Sequence, residues 1–147
     1  MTVDPETLAF LAERMTLDTP QAVALGIRLV SAAPGDASMA VPWRADLVGD
    51  PATGVLAGGV VTTLLDHVCG LAATSLMGLQ NGTATLDLRI DYMRPAIPGR
   101  EVIGRARCYK VTRSIAFVRA AAYEDDEDDP IATAQAAFAK TRPRATR

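Results

Sequence analysis

At 147 residues the chain has the length of one domain, and its 49% apolar content is too high for a disordered segment. A net charge of −2 supplies no basic field for nucleic acid or an anionic membrane, so a small molecule or another copy of the chain is the expected partner. Asp4, Glu6 and Glu13 argue against a targeting signal, and no uncharged apolar run is long enough to cross a bilayer. Cys69 and Cys108 fit neither metal-ligand spacing nor a disulfide framework, so reduced thiols and a cytoplasmic protein are expected.

Asp4-Pro5-Glu6 is a helix-start signal, with Leu8, Leu11 and Met15 following at helical spacing. Asp18-Thr19-Pro20 opens a second short helix that ends at Gly26. Residues 27–33 and 38–43 read as strands joined by the Pro34-Gly35 turn, and 46–53 as a polar loop. From Val60 to Met77 the chain is apolar nearly all round, with Val61, Leu64, Leu65, Val68, Leu71 and Ala72 at helical spacing. Such a helix has to be buried.

Four strands are predicted after it, at 83–94, 101–111, 115–123 and 131–140, with the acidic loop 124–129 before the last. In the first of them Leu86, Leu88, Ile90 and Tyr92 alternate with Thr85, Asp87, Arg89 and Asp91, which assigns the two sets to opposite faces. The tail bearing Arg142, Arg144 and Arg147 is expected to fray. Two strands, one long buried helix and four strands predict an α+β fold. It is an antiparallel sheet of about six strands wrapped round a central helix, one domain over residues 1–147.

Much chemistry is excluded. His67 is the only histidine, and there is no G-x-S-x-G turn, no phosphate loop and no dinucleotide fingerprint. One histidine and two scattered cysteines make no metal site, and no cofactor is expected. What remains is Asp66, a carboxylate between Leu64, Leu65 and Val68. Either it lies on a narrow solvated stripe or in a structural ion pair, or it is kept for chemistry, because a buried unpaired charge is expensive. Gly58-Gly59 at the mouth of the same helix leaves backbone N–H groups uncovered, with the positive end of the helix dipole behind them. That arrangement suits an oxyanion. Gly58 and Asp66 are separated by eight positions, about 12 Å along a helix, so both can touch one carbonyl only if they come from different copies of the chain.

Residues 54–66, Gly54 through Gly58-Gly59 to Asp66, resemble the central-helix segment of the hotdog-fold acyl-CoA thioesterases of the phenylacetate-pathway type. Tyr92-Met93-Arg94-Pro95 resembles that family's Tyr-x-x-Pro strand end, and Arg113-Ser114-Ile115-Ala116-Phe117 its next strand start. The resemblance implies a hotdog fold and hydrolysis of a medium-chain or aromatic acyl-CoA, with coenzyme A as part of the substrate. Asp66 would be the nucleophile or the general base, and Gly58 N–H of the partner subunit, with Gly59 beside it, would hold the oxyanion. Thr85 falls where relatives carry a hydroxyl that orients the water. Ala57, Val61, Leu65 and Met93 would line the substrate site, and Arg94, Lys110 and Arg113 would meet the phosphates. The assembly would be a homodimer or homotetramer. Two departures stand out: Ala57 replaces the family's histidine, and Pro51 falls where relatives place an asparagine. The alternative they leave open is a non-catalytic acyl-CoA binding protein on the same fold.

Overall fold

The Asp4 carboxylate accepts the Thr7 N–H at 3.0 Å and starts helix α1, Pro5–Leu17, as the sequence predicts. Residues 4–142 are described by the computed structural model, so the expectation for Arg144 and Arg147 lies outside them. A second helix, α2 (Pro20–Leu25), ends at Gly26 in the left-handed conformation. Strands β1 (Arg28–Ala33) and β2 (Asp36–Val41) follow. The expected polar loop is more ordered than predicted. It holds a 3-10 turn at Ala45–Leu47 and a small hairpin of β3 (Val48–Asp50) with β4 (Val55–Leu56). Trp43 closes this hairpin by donating its indole N–H to Gly54 O at 2.8 Å.

The central helix α3 runs Gly58–Met77, and β5 (Thr83–Tyr92), β6 (Val102–Val111), β7 (Ile115–Tyr123) and β8 (Ala132–Lys140) complete the chain. The main sheet has the order β1-β2-β6-β7-β8-β5, with every neighbouring pair antiparallel. By length and composition α3 could span a bilayer, but 13 of its 20 residues are buried within this fold. The sheet accepts the helix because the residues beneath it are small. Ala116, Ala120 and Ala122 of β7 and Ala132, Ala134 and Ala136 of β8 are all buried. On β6, a Cβ at Gly104 would lie 3.0 Å from Leu64 Cγ and 3.4 Å from Val68 Cγ1, so any side chain there would have to push the helix side chains aside.

One expectation is corrected. The register of β5 against β8 shifts between Thr85 and Asp87, leaving Leu86 as the extra residue of a β-bulge. Thr85 therefore faces the helix together with Tyr92, although the two have opposite parity in the sequence. Leu86, assigned to the buried set by alternation, is 58% exposed.

At the end of the sheet nearest the start of α3, Arg94 ties two loops together. Its guanidinium donates to Glu124 Oε2 at 2.5 Å and to Asp129 O at 2.8 Å, and Glu124 Oε1 also accepts the Ile97 N–H at 2.8 Å. The Glu124 side chain is 3% exposed. Burial alone would raise its carboxyl, but Arg94 and the Ile97 N–H outweigh burial and hold it below the ordinary glutamate range. A depressed folded-state pKa contributes stability that is present above the unfolded-state value and is lost as pH falls through the folded one. Glu124→Gln is therefore expected to destabilise the fold by about 3 kcal/mol at neutral pH. That corresponds to a Tm lower by roughly 6–12 °C. Denaturant melts from about pH 6 downward should show the variant losing less stability with acid than the wild type.

Candidate active site

Although α3 is mostly buried, a stripe along its first half is not. Gly58 and Gly59 are exposed, and Thr62, Thr63, Asp66 and His67 are half-buried. Asp66 thus lies on a partly solvated stripe rather than deep in the apolar interior. Its Oδ1 accepts a hydrogen bond from Thr85 Oγ1 at 2.8 Å, which joins the helix to the edge strand β5 and fixes one face of the carboxylate. Cys69, one turn further on, is fully buried, and burial with the nearby Asp66 charge pushes its thiol up to about 12. It is a packing residue, not a nucleophile. His67 Nε2 lies 2.6 Å from Met15 O, so the lone histidine ties α1 to α3.

The helix start is bare. Ala57 at the N-cap makes no side-chain capping bond, and neither the Gly58 nor the Gly59 N–H has an acceptor among the described residues. A Cβ at Gly58 would be 3.7 Å from the Tyr92 hydroxyl, an ordinary contact, and a Cβ at Gly59 would meet nothing within 4 Å. Neither glycine is required by the packing of this chain. Behind the N-cap, by contrast, glycine is required: a Cβ at Gly49 would sit 2.7 Å from Ala57 Cα. That contact, with the Ala57 N–H bonded to Leu47 O at 2.9 Å, pins the cap residue to the β3–β4 hairpin.

Beside Gly58 opens a cleft of about 350 Å³ lined by Val61, Tyr92, Met93, Arg94 and Ile131 among others. It brings together Gly58, Val61, Met93 and Arg94 from the predicted set. Leu65 is not among them, because it is fully buried against the sheet. Arg94 reaches the cleft but spends its guanidinium on Glu124. Lys110 and Arg113 lie at the other end of the molecule: Arg113 lines a shallow depression with Lys140 and Arg142 near the α3 C-terminus. The two ends of α3 are about 30 Å apart, so one chain cannot use all three predicted cations on one ligand. Within one chain Asp66 and Gly58 also remain two turns apart on the helix.

The profile of the thioesterase superfamily matches residues 53–131, which covers the bare helix start, Asp66, Thr85 and the β5 bulge. The chain belongs to this superfamily. Human acyl-coenzyme A thioesterase 13 is 32% identical over 93 residues, 62% of this chain and 63% of that protein. The chain spans between 50% and 63% of the length of the curated relatives it matches. A solved protein from Pseudomonas aeruginosa is 37% identical with a TM-score of 0.81, over 90% of this chain and 98% of that one. The phenylacetic acid degradation protein PaaI from Thermus thermophilus, solved as a mutant, is 28% identical with a TM-score of 0.72, over 82% and 98%. The architecture is the hotdog fold of these superfamily relatives.

Residue reasoning overlooked two polar groups at the helix start, Tyr92 and Thr62. The Tyr92 hydroxyl donates to Gly58 O at 2.7 Å and lies 2.6 Å from Thr62 Oγ1. Alternation assigns Tyr92 to the face of Leu88 and Ile90, and the bulge brings Thr85 onto that same face. The glycines offer a clean test. Alanine suits a helix better than glycine by up to about 1 kcal/mol, and the chain has room for it at position 59. Gly59→Ala is expected to melt no lower than the wild type yet lose at least about tenfold in turnover, since the space it fills is kept for a ligand or a second subunit. Unchanged turnover would show that the open space serves neither.

Proposed function

We propose that this superfamily member hydrolyses an acyl-CoA thioester, at a site shared between two copies of the chain. The observation that carries the reading is the pairing of a half-buried Asp66, held by Thr85, with a helix start whose N–H groups are uncovered and unbonded. A thioester carbonyl seated on the Gly58 N–H of one subunit is polarised for attack, and Asp66 of the other is the carboxylate that attacks it or activates water against it. Thr85 holds the carboxylate in line, because its one O–H is committed to Asp66 Oδ1.

The edge of the sheet supports a dimer. β5 is a 10-residue edge strand with one side unpaired among the described residues, and exposed Leu86, Tyr92 and Met93 lie on or beside it. Antiparallel pairing of two β5 strands about a two-fold axis would continue the sheet across both subunits. With the axis near Asp87 and Leu88, Thr85 of one chain falls opposite Ile90 of the other. Asp66 is then carried toward the partner's helix start, which closes the gap that one chain leaves open. The same pairing would bring the Arg113, Lys140 and Arg142 depression of one subunit, near the start of β5, toward the cleft of the other, near the end of β5. Coenzyme A phosphates would meet these cations, and the acyl group would enter the apolar cleft past Val61 and Met93. A medium-chain or aromatic acyl group suits a cleft of about 350 Å³. In this arrangement Ala57 is pinned by Gly49, so the hydrolytic machinery is a carboxylate and backbone donors without imidazole.

Free-thiol release from a panel of acyl-CoAs tests the reading. Asp66→Asn should lose turnover by at least about a hundredfold while binding a non-hydrolysable thioether analogue as the wild type does. Binding without turnover in the wild type would replace the enzyme with an acyl-CoA binding protein. Sharing of the site has its own test: Asp66→Asn and Gly58→Val, each inactive, are mixed after mild dissociation. Composite sites predict recovery of about a quarter of wild-type activity, because half of the subunit pairs are mixed and each carries one intact site. Sites confined to one chain would recover none.

A further inference from the structure

Tyr92 sits on the helix start in a way that the assignment of Asp66 and Gly58 leaves unused. Its hydroxyl donates to the carbonyl oxygen of Gly58 at 2.7 Å, and Thr62 Oγ1 approaches both, at 2.6 Å from the Tyr92 oxygen and 3.1 Å from Gly58 O. Tyr92 has one proton to give. With that proton on Gly58 O, the single Thr62 proton either goes to the Tyr92 oxygen, giving a relay Thr62 O–H, Tyr92 O–H, Gly58 C=O, or is donated directly to Gly58 O as a second donor; both arrangements converge on that carbonyl.

The carbonyl of Gly58 and the N–H of Gly59 belong to one planar trans peptide and point in opposite directions. Fixing the oxygen therefore fixes where the Gly59 N–H points, and that N–H is exposed and has no acceptor among the described residues. A donor on the carbonyl also withdraws electron density through the peptide and strengthens the N–H as a donor in turn. Glycine at 58 and 59 gives this stretch of backbone the greatest freedom any residue confers, so an external clamp on it has something to do.

We propose that Tyr92, assisted by Thr62, is a positioning residue that orients and polarises the Gly58–Gly59 peptide, making the Gly59 N–H a second oxyanion donor beside that of Gly58. Tyr92 does not touch the reacting atoms; it acts through the peptide. The inference rests on the thioesterase reading for its consequence in turnover, but the polarisation of a bound carbonyl can be read without turnover.

Two readouts are combined. In steady-state kinetics Tyr92→Phe is expected to lower kcat by about tenfold with KM little changed, because the bond from the donor to the carbonyl is weak in the ground state and strengthens as charge develops on the oxygen. In isotope-edited infrared spectra of a ¹³C-carbonyl acyl-CoA bound to the Asp66→Asn protein, the thioester stretch should be shifted to lower frequency than in solution. Adding Tyr92→Phe should move it part of the way back. A purely structural tyrosine would lower Tm without moving the stretch. If Tyr92→Phe does not fold, Thr62→Val removes the first donor of the relay and should produce a smaller shift in the same direction. Wild-type turnover with no effect of Tyr92→Phe on kcat or on the stretch overturns the proposal and leaves the thioesterase reading standing. No turnover by the wild type overturns that reading instead, and the stretch with and without Tyr92 still decides the role of the tyrosine.

Discussion

The structure is governed by the need to cover α3. Twenty residues with a single charge among them cannot face water, and one twisted sheet with a small-residue inner surface covers most of the helix. It cannot cover all of it. The six-stranded sheet reaches α3 from β2 through β5 and stops, and the first half of the helix keeps a narrow open stripe beside that last strand. Every residue assigned to chemistry is on this stripe, on β5, or at the helix start. The site is thus the part of the burial problem that one chain leaves unsolved.

That origin explains the division of labour among polar groups. Glu124 is buried, Arg94 is partly so, and the two are bonded to each other and hold the loops that frame the cleft. Asp66 and the two glycines are partly open and under-bonded, with the carboxylate restrained by Thr85 alone among the described residues. Restrained groups that still have bonding capacity are what a catalytic constellation requires, and a buried carboxylate bonded on both oxygens, as Glu124 is, is what a scaffold requires.

The fold was legible in the sequence because its largest element is also its most extreme. The run Val60 to Met77 admits only a buried helix, and the strands after it are marked by turn residues on either side. Asp66 and Gly58-Gly59 were legible for a related reason: a charge and two side-chain-free residues in that helix contradict its composition. Three things were not legible. The β3–β4 hairpin lies in a segment of polar and turn residues whose order comes from the Trp43 and Gly49 contacts, which are tertiary. Leu65 and Val61 have the same sequence character, and only the position of the sheet decides that the second borders the cleft and the first does not. The face of Thr85 was misassigned because alternation assumes an unbroken ladder, and a bulge leaves no mark in residue type.

The bulge has a consequence for how this site can change over generations. Thr85 and Tyr92 face the helix although they are seven positions apart, an odd number that a regular strand would put on opposite sides. No substitution of a single residue converts one phase of the strand into the other; a deletion does. Removing Leu86 would shorten the separation to six and let a regular ladder keep both Thr85 with Asp66 and Tyr92 with Gly58, whereas removing any other residue between them with the bulge retained would part the two. The two halves of the site are therefore linked by a reading-frame-like constraint within a strand: the odd spacing and the bulge must be kept together or lost together, and a lineage that changes one without the other must rebuild half of the site from other side chains.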